Sequence, residues 1–326
     1  MAICRTGNTV NFGTFSLTVT PTGLYTDGRL DFVGCSLTPT QAQGSVSGYT
    51  SGGYRFPVRD TISKFPFTSD TGTTDVGELT QARQGVAGQS SSVSGYSTSS
   101  SIIDKFPFSS DTSATCIGQL SCARFCAAGQ SSTENGYTSG GQIPPHTDVI
   151  DKFPFTSDTN ATDVGNLTQS RLGNAGQSSR ESGYTSGGGT TSGGSPGLNT
   201  IDKFPFASDT NATDVGDLSQ TREAGAGQSS IESGYMSGGG IFPSIGEVNT
   251  IDKFPFAADA PATDVGNLTR LVLGAAGQSS LVSGYTAGGD PVNVSTIEKF
   301  PFAADANATD VGEHAAPTRF LAGHQV

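Results

Sequence analysis

The chain has 326 residues, of which 45 are Gly and none is Trp, and only 14 % are charged. Its 29 acidic residues outnumber 17 basic ones, giving a formal charge of −12. That excludes the basic stripe needed to hold nucleic-acid phosphates and argues against an anionic membrane surface.

No stretch approaches the roughly 20 apolar residues of a membrane span. The start, Met1-Ala-Ile-Cys-Arg-Thr-Gly, lacks the apolar core of a secretory signal, so synthesis and folding in a cytoplasm are expected. So much Gly and Ser could spell disorder, but disordered tracts need no register. Here Lys-Phe-Pro-Phe recurs at Lys64, Lys105, Lys152, Lys203, Lys253 and Lys299, about 41 to 51 residues apart. A period of this size is the signature of a propeller or solenoid.

In chain order, residues 1–36 align with a degraded unit. Ala2–Gly7 stands in for Gly-Tyr-Thr-Ser-Gly-Gly, Asn8–Phe15 for the segment ending in Phe-Pro-Phe, and Leu30–Gly34 for Ala-Thr-Asp-Val-Gly. Gln41-Ala-Gln-Gly-Ser then begins the next unit. The unit Asn174–Gln220 is the clearest template. Its short first strand ends at Ser179, and a second begins at Ser182-Gly-Tyr and ends on the double glycine Gly187-Gly188. The third, Thr200–Phe206, alternates Ile201, Lys203 and Pro205 with Asp202, Phe204 and Phe206. Ser208–Ala212 is turn chemistry, and Thr213–Leu218 is the fourth strand. Proline cannot donate to a ladder, so Pro205 and its equivalents belong at an edge or a bulge. No helical period is sustained, and four short strands per unit is the content of one propeller blade.

The last segment, Leu321–Val326, repeats the first strand of a unit and stops. The reading is an all-β chain forming a single domain over 1–326. It is a seven-bladed propeller in which 1–40 form a partial blade completed by 321–326 pairing with residues 2–7. Six blades plus an N-terminal extension is the alternative.

Gly187/Gly188, Phe204, Leu218 and Arg222, with equivalents in most copies, resemble the kelch repeat. The Trp of that motif is missing, and Val215 or Leu218 must fill its place. The resemblance covers residues 41–326 and implies a kelch-like propeller, a fold with unrelated functions. The near-identical copies also resemble repeats in proteins of marine phages and in environmental sequences. That resemblance implies an exposed virion component, made in a host cytoplasm, that decorates a capsid or tail or attaches to a host surface. The alternative is a cytoplasmic kelch-type adaptor binding another protein.

The insert between the double glycine and Lys-Phe-Pro-Phe varies strongly between copies, and insertions confined to one connection map to one propeller face. The candidate contact residues are therefore Tyr54, Arg55, Phe56, Arg59, Ile143, His146, Ile241, Phe242 and Ile245. Neutral drift of surface loops is the competing reading. The expected partners are other virion or surface proteins or a host-surface glycan. Tyr54, Phe56 and Phe242 would serve a glycan.

Repeated carboxylates five apart, such as Asp209 and Asp214, read as turn caps, since a calcium loop needs more ligands. The repeat lysines are expected to pair with adjacent strands or blades. Gln89, Gln130, Gln177, Gln228 and Gln278, with His324 in the same slot, either ring the channel or interlock blades. The Asn-x-Ser/Thr sites read as turn residues. Cys4, Cys35, Cys116, Cys122 and Cys126 lack a usual zinc spacing and read as free, buried thiols. No cofactor, metal site or catalytic constellation is recognisable, so an enzyme is not expected.

Overall fold

Strand-forming segments separated by Gly, Ser and Asp turns fold as antiparallel sheets, since a tight turn can only reverse the chain. The computed structural model describes residues 43–326 other than 144–145, 191–196, 244–245 and 291–294. It also describes the backbone of three strands before them. The chain divides into two compact units, Met1–Thr38 and Pro39–Val326. In the first unit the strands Cys4–Thr6, Thr9–Phe12 and Phe15–Thr18 form one antiparallel sheet, with Cys4 opposite Asn11 and Asn11 opposite Ser16.

The second unit is a six-bladed β-propeller. Blade 4 shows the pattern: Ala175–Ser178, Ser182–Ser186, Thr200–Pro205 and Thr213–Asp217, paired in that order. Blades 3, 5 and 6 repeat it from Ala128, Ala226 and Ala276. In blade 2 the second and third strands run on as one segment, Ser94–Pro107, because the insert between them has vanished. Blade 1 is composite. Its inner strand is Ala322–Gln325, paired with Ser47–Ser51, followed by Thr61–Pro66 and Thr74–Glu78.

The seven-blade count is therefore corrected to six. The C-terminal strand does close the ring, but it pairs with Gly48–Ser51 and not with residues 2–7. Its register, His324 opposite Tyr49, copies Gln177 opposite Tyr184 in blade 4. Gln41-Ala-Gln-Gly-Ser, which by alignment begins this unit, does not form that inner strand. Of it, Gly44 makes a single parallel bridge to Ser280, and the closing strand takes the slot. Leu30–Gly34 lies outside the described residues.

The fourth strand bulges against the third in every blade. In blade 4 Ile201 faces Gly216 while Asp202 faces Asp214, leaving Val215 as the extra residue. The proline sits at neither an edge nor a bulge. It is the strand's last residue, Pro205 opposite Ser182, and the following Phe206 N–H returns to the ladder by donating to the Glu181 carbonyl. Nothing is lost at a position where the ladder ends.

The core lies between blades. Tyr184, Ile201 and Leu218 of blade 4 pack against Phe254 and Ala262 of blade 5, with Val215 partly buried beside them. Leu218 and Val215 thus share the apolar volume between the two blades. The opposite face of the third strand turns Phe204 and Phe206 to Tyr137, Ile150 and Leu167 of blade 3. The tyrosine rings stack on the neighbouring blade's phenylalanines, for example Tyr184 with Phe256 at 4.8 Å.

Polar locks repeat at the same seams. Gln177 Nε2 donates to the Tyr235 carbonyl of the next blade at 2.9 Å, and Gln89, Gln130, Gln228 and Gln278 do likewise. The glutamines therefore interlock blades. Further out, buried Arg171 and Asp202 form an ion pair of 2.8 Å, with equivalents at Arg83–Asp104, Arg124–Asp151 and Arg222–Asp252. At the rim six exposed lysine–aspartate pairs run around the ring, from Lys64–Asp111 to Lys299–Asp70. The first aspartate of each five-apart pair is thus an interblade partner and not a turn cap. The second does cap, as when Asp214 Oδ1 accepts from the Gly216 N–H. Asn160, Asn211 and Asn307 accept from N–H groups of the preceding blade.

Blade 1 departs from this pattern on both sides. At its seam with blade 6, Ser63 and Thr318 replace the Asp–Arg pair, and His314 replaces the buried Leu. At its seam with blade 2, His324 replaces Gln. Its Nδ1–H donates to the Gln89 carbonyl, and Nε2 accepts from the Ser51 hydroxyl at 2.9 Å. Burial pushes the His314 imidazole below its ordinary range and that of His324 down to about 4.

A lowered folded value means that the unfolded chain takes up protons first. Stability is then complete above about pH 6.5 and falls as pH drops towards about 4. His324 alone should remove about 3 kcal/mol over that window. Urea unfolding at pH 7 and pH 4.5 tests this. His324→Gln restores the residue used elsewhere and should flatten the pH slope relative to the native chain. An equal slope would refute the assignment.

Candidate binding face

Antiparallel blades put the first-to-second and third-to-fourth turns on one face. The second-to-third inserts and the links between blades lie on the other. The first of these faces is uniform in turn length and closure. Ser179 Oγ accepts from Ser182 N–H at 3.0 Å, and Ser91, Ser132, Ser230 and Ser280 close the same turn. All the strong variation in length lies on the second face.

There the interblade link reads Arg171-Leu172-Gly173-Asn174-Ala175 in one copy. Its third residue is left-handed in every copy: Gly85, Cys126, Gly173, Ala224, Gly274 and Phe320, with φ between 52° and 66°. Three of these six carry a Cβ where glycine costs least. Their backbones form a closed ring. Each N–H donates to the carbonyl of the equivalent residue one blade back, from Cys126 to Gly85 round to Gly85 to Phe320, at 2.6 to 2.9 Å.

The residue before each ring member is Gln84, Phe125, Leu172, Glu223, Leu273 or Arg319. The last five pair with the start of a variable insert, as Leu172 with Gly189 and Arg319 with Tyr54. Together these residues enclose a bowl of about 700 Å³ over the propeller axis. Its walls include Phe242, Glu247 and Asp290 from the inserts. Below it, Gly, Ser and Gln residues of the inner strands line a narrow polar channel of about 50 Å³.

The bowl is acidic. Asp290 is ion-paired to Arg319, whose guanidinium stacks on Tyr54 at 5.0 Å. Glu223 and Glu247 have no cationic partner among the described residues. Burial raises the Glu223 carboxyl above the ordinary range, so its charge is under-solvated. Cys126 sits beside it, its thiol pushed up to about 11 and therefore unreactive.

Of the residues singled out from the sequence, Phe242 lines the bowl and Tyr54 supports it through Arg319. Arg55 and Phe56 are exposed on the same insert, Phe56 by 89 %. Arg59, Ile143, His146 and Ile241 are half-buried within the inserts and do not line it. Ile245 lies outside the described residues. The residues following the repeat arginine were missed. Gln84, Phe125, Leu172, Glu223, Leu273 and Arg319 differ in size and charge within links of constant length.

Cys116, Cys122 and Cys126 are free, but Cys116 is exposed, standing where other copies carry an exposed Asp, and Cys122 and Cys126 are half-buried rather than buried. The side chains of Cys4 and Cys35 are outside the described set.

No protein-family model matches the chain, and no curated protein matches it.

Proposed function

We propose that this chain is a kelch-type, non-enzymatic binding propeller carried as an exposed virion component. It attaches to another virion or surface protein, or to a host-surface glycan, through the variable-insert face. One observation carries the contact reading. The only connections that vary in length surround a large bowl, while the turns of the opposite face keep one length in every copy. Drift alone has no reason to spare one face. Exposed Phe56 and half-buried Phe242 add apolar contact area there. The virion assignment rests on the likeness of the near-identical copies to phage repeats, and a rigid acidic ring suits an exposed, soluble position.

Purified particles labelled with an antibody to the chain, viewed in negative stain, test the assignment. Labelled particles are expected. Protein found only in host cytosol would overturn it. A glycan array compared between native protein and Phe242→Ala separates glycan from protein partners.

A further inference from the structure

We infer that the bowl receives a cationic side chain, Lys or Arg, presented by the partner protein. This deepens the contact-face reading and rests on it.

The argument starts from the walls. Phe125, Leu172, Phe242 and Leu273 line the bowl, a setting for the apolar stem of a long side chain. The charge is one-sided. Among the described residues Glu223 and Glu247 stand without a cation, while Arg319 is committed to Asp290 and to the rings of Tyr54 and Phe320. A carboxylate taken partly out of water is restored by a cation that brings its own hydrogen bonds. The volume of about 700 Å³ is ample for one such side chain and the residues that carry it. The backbone at the floor is held in the left-handed region at Cys126, Ala224 and Phe320, residues that ordinarily avoid it. Conformations of this kind cluster at ligand sites. The net charge of −12 would also draw a basic partner towards the ring from a distance.

The test uses the full chain at neutral pH and ligand-observed NMR. The probes are n-hexylammonium, n-hexanol, an acetylated Gly-Arg-Gly amide and the same peptide with citrulline for Arg. The two cations should bind saturably and the neutral isosteres about tenfold more weakly, as expected for a charge-assisted hydrogen bond. Glu223→Gln and Glu247→Gln should each abolish most of that preference. Both are near-isosteric, and an unchanged melting temperature confirms that the ring is intact.

Cations and isosteres binding alike would overturn the cationic assignment and leave the contact face standing. Binding of the amine but not of the Arg peptide would overturn the protein source. Binding of none would overturn the occupied bowl, while particle labelling and the glycan array decide the contact face separately.

Discussion

Gly176→Ala should abolish folding, or cost more than about 4 kcal/mol if the chain folds at all. Six inner-strand glycines, Gly88, Gly129, Gly176, Gly227, Gly277 and Gly323, stack backbone on backbone around the axis. A Cβ at Gly176 would lie 2.2 Å from the Gly129 carbonyl oxygen, and each of the others meets its predecessor at 2.0 to 2.2 Å. The obstacle is main chain held in two strands, so no rotamer change relieves it. Moving one blade outwards would also strain five other seams, because the ring is closed. An exposed-strand control such as Thr213→Ala should stay within about 0.5 kcal/mol. Urea unfolding of both variants gives the answer, and a Gly176→Ala midpoint near the native one would refute the packing argument.

Asp202→Ala should destabilise by about 3 to 5 kcal/mol, the range for an uncompensated buried charge. Asp202 and Arg171 are both fully buried, and Asp202 also accepts from the Thr168 N–H at 2.8 Å. Removing the carboxylate strands a guanidinium with no water to turn to. The protein contains its own control, since the seam between blades 6 and 1 manages with Ser63 and Thr318. The double variant Asp202→Ser, Arg171→Thr should therefore recover at least half of the loss. Asp259→Ala, which breaks only an exposed rim pair with Lys203, should change stability by less than about 1 kcal/mol. Equal effects at the buried and rim sites would show that burial is not what makes the inner pair matter.

Much of the blade was legible because its cues are local. Alternation placed Ile201 and Phe204 on opposite faces, and the structure sends them to blades 5 and 3. The equivalent slot of Gln177 and His324 followed from alignment alone. Closure was misjudged because pairing over hundreds of residues leaves no local trace. The repeat alignment pairs residues 321–326 with residues 2–7, whereas packing joins 322–325 to Gly48–Ser51. A strand at Phe15–Thr18 was also missed. Phe15–Thr18 follows its neighbour directly, without the long turn seen in the blades. The bowl was half visible. The inserts announced themselves by length, whereas Glu223 and Arg319 sit in links of constant length, where a change of chemistry looks like ordinary loop drift.

The ring of six backbone hydrogen bonds at the bowl's floor has a consequence for recognition. A helix or a sheet edge offers free peptide groups to a ligand, but a circle of head-to-tail amides has no beginning and keeps none in reserve at that level. Whatever docks there must be read by side chains. The six residues just before the ring then act like the letters of a short word written on an unchanging frame. A descendant of this chain could change its partner by respelling them, without moving a strand.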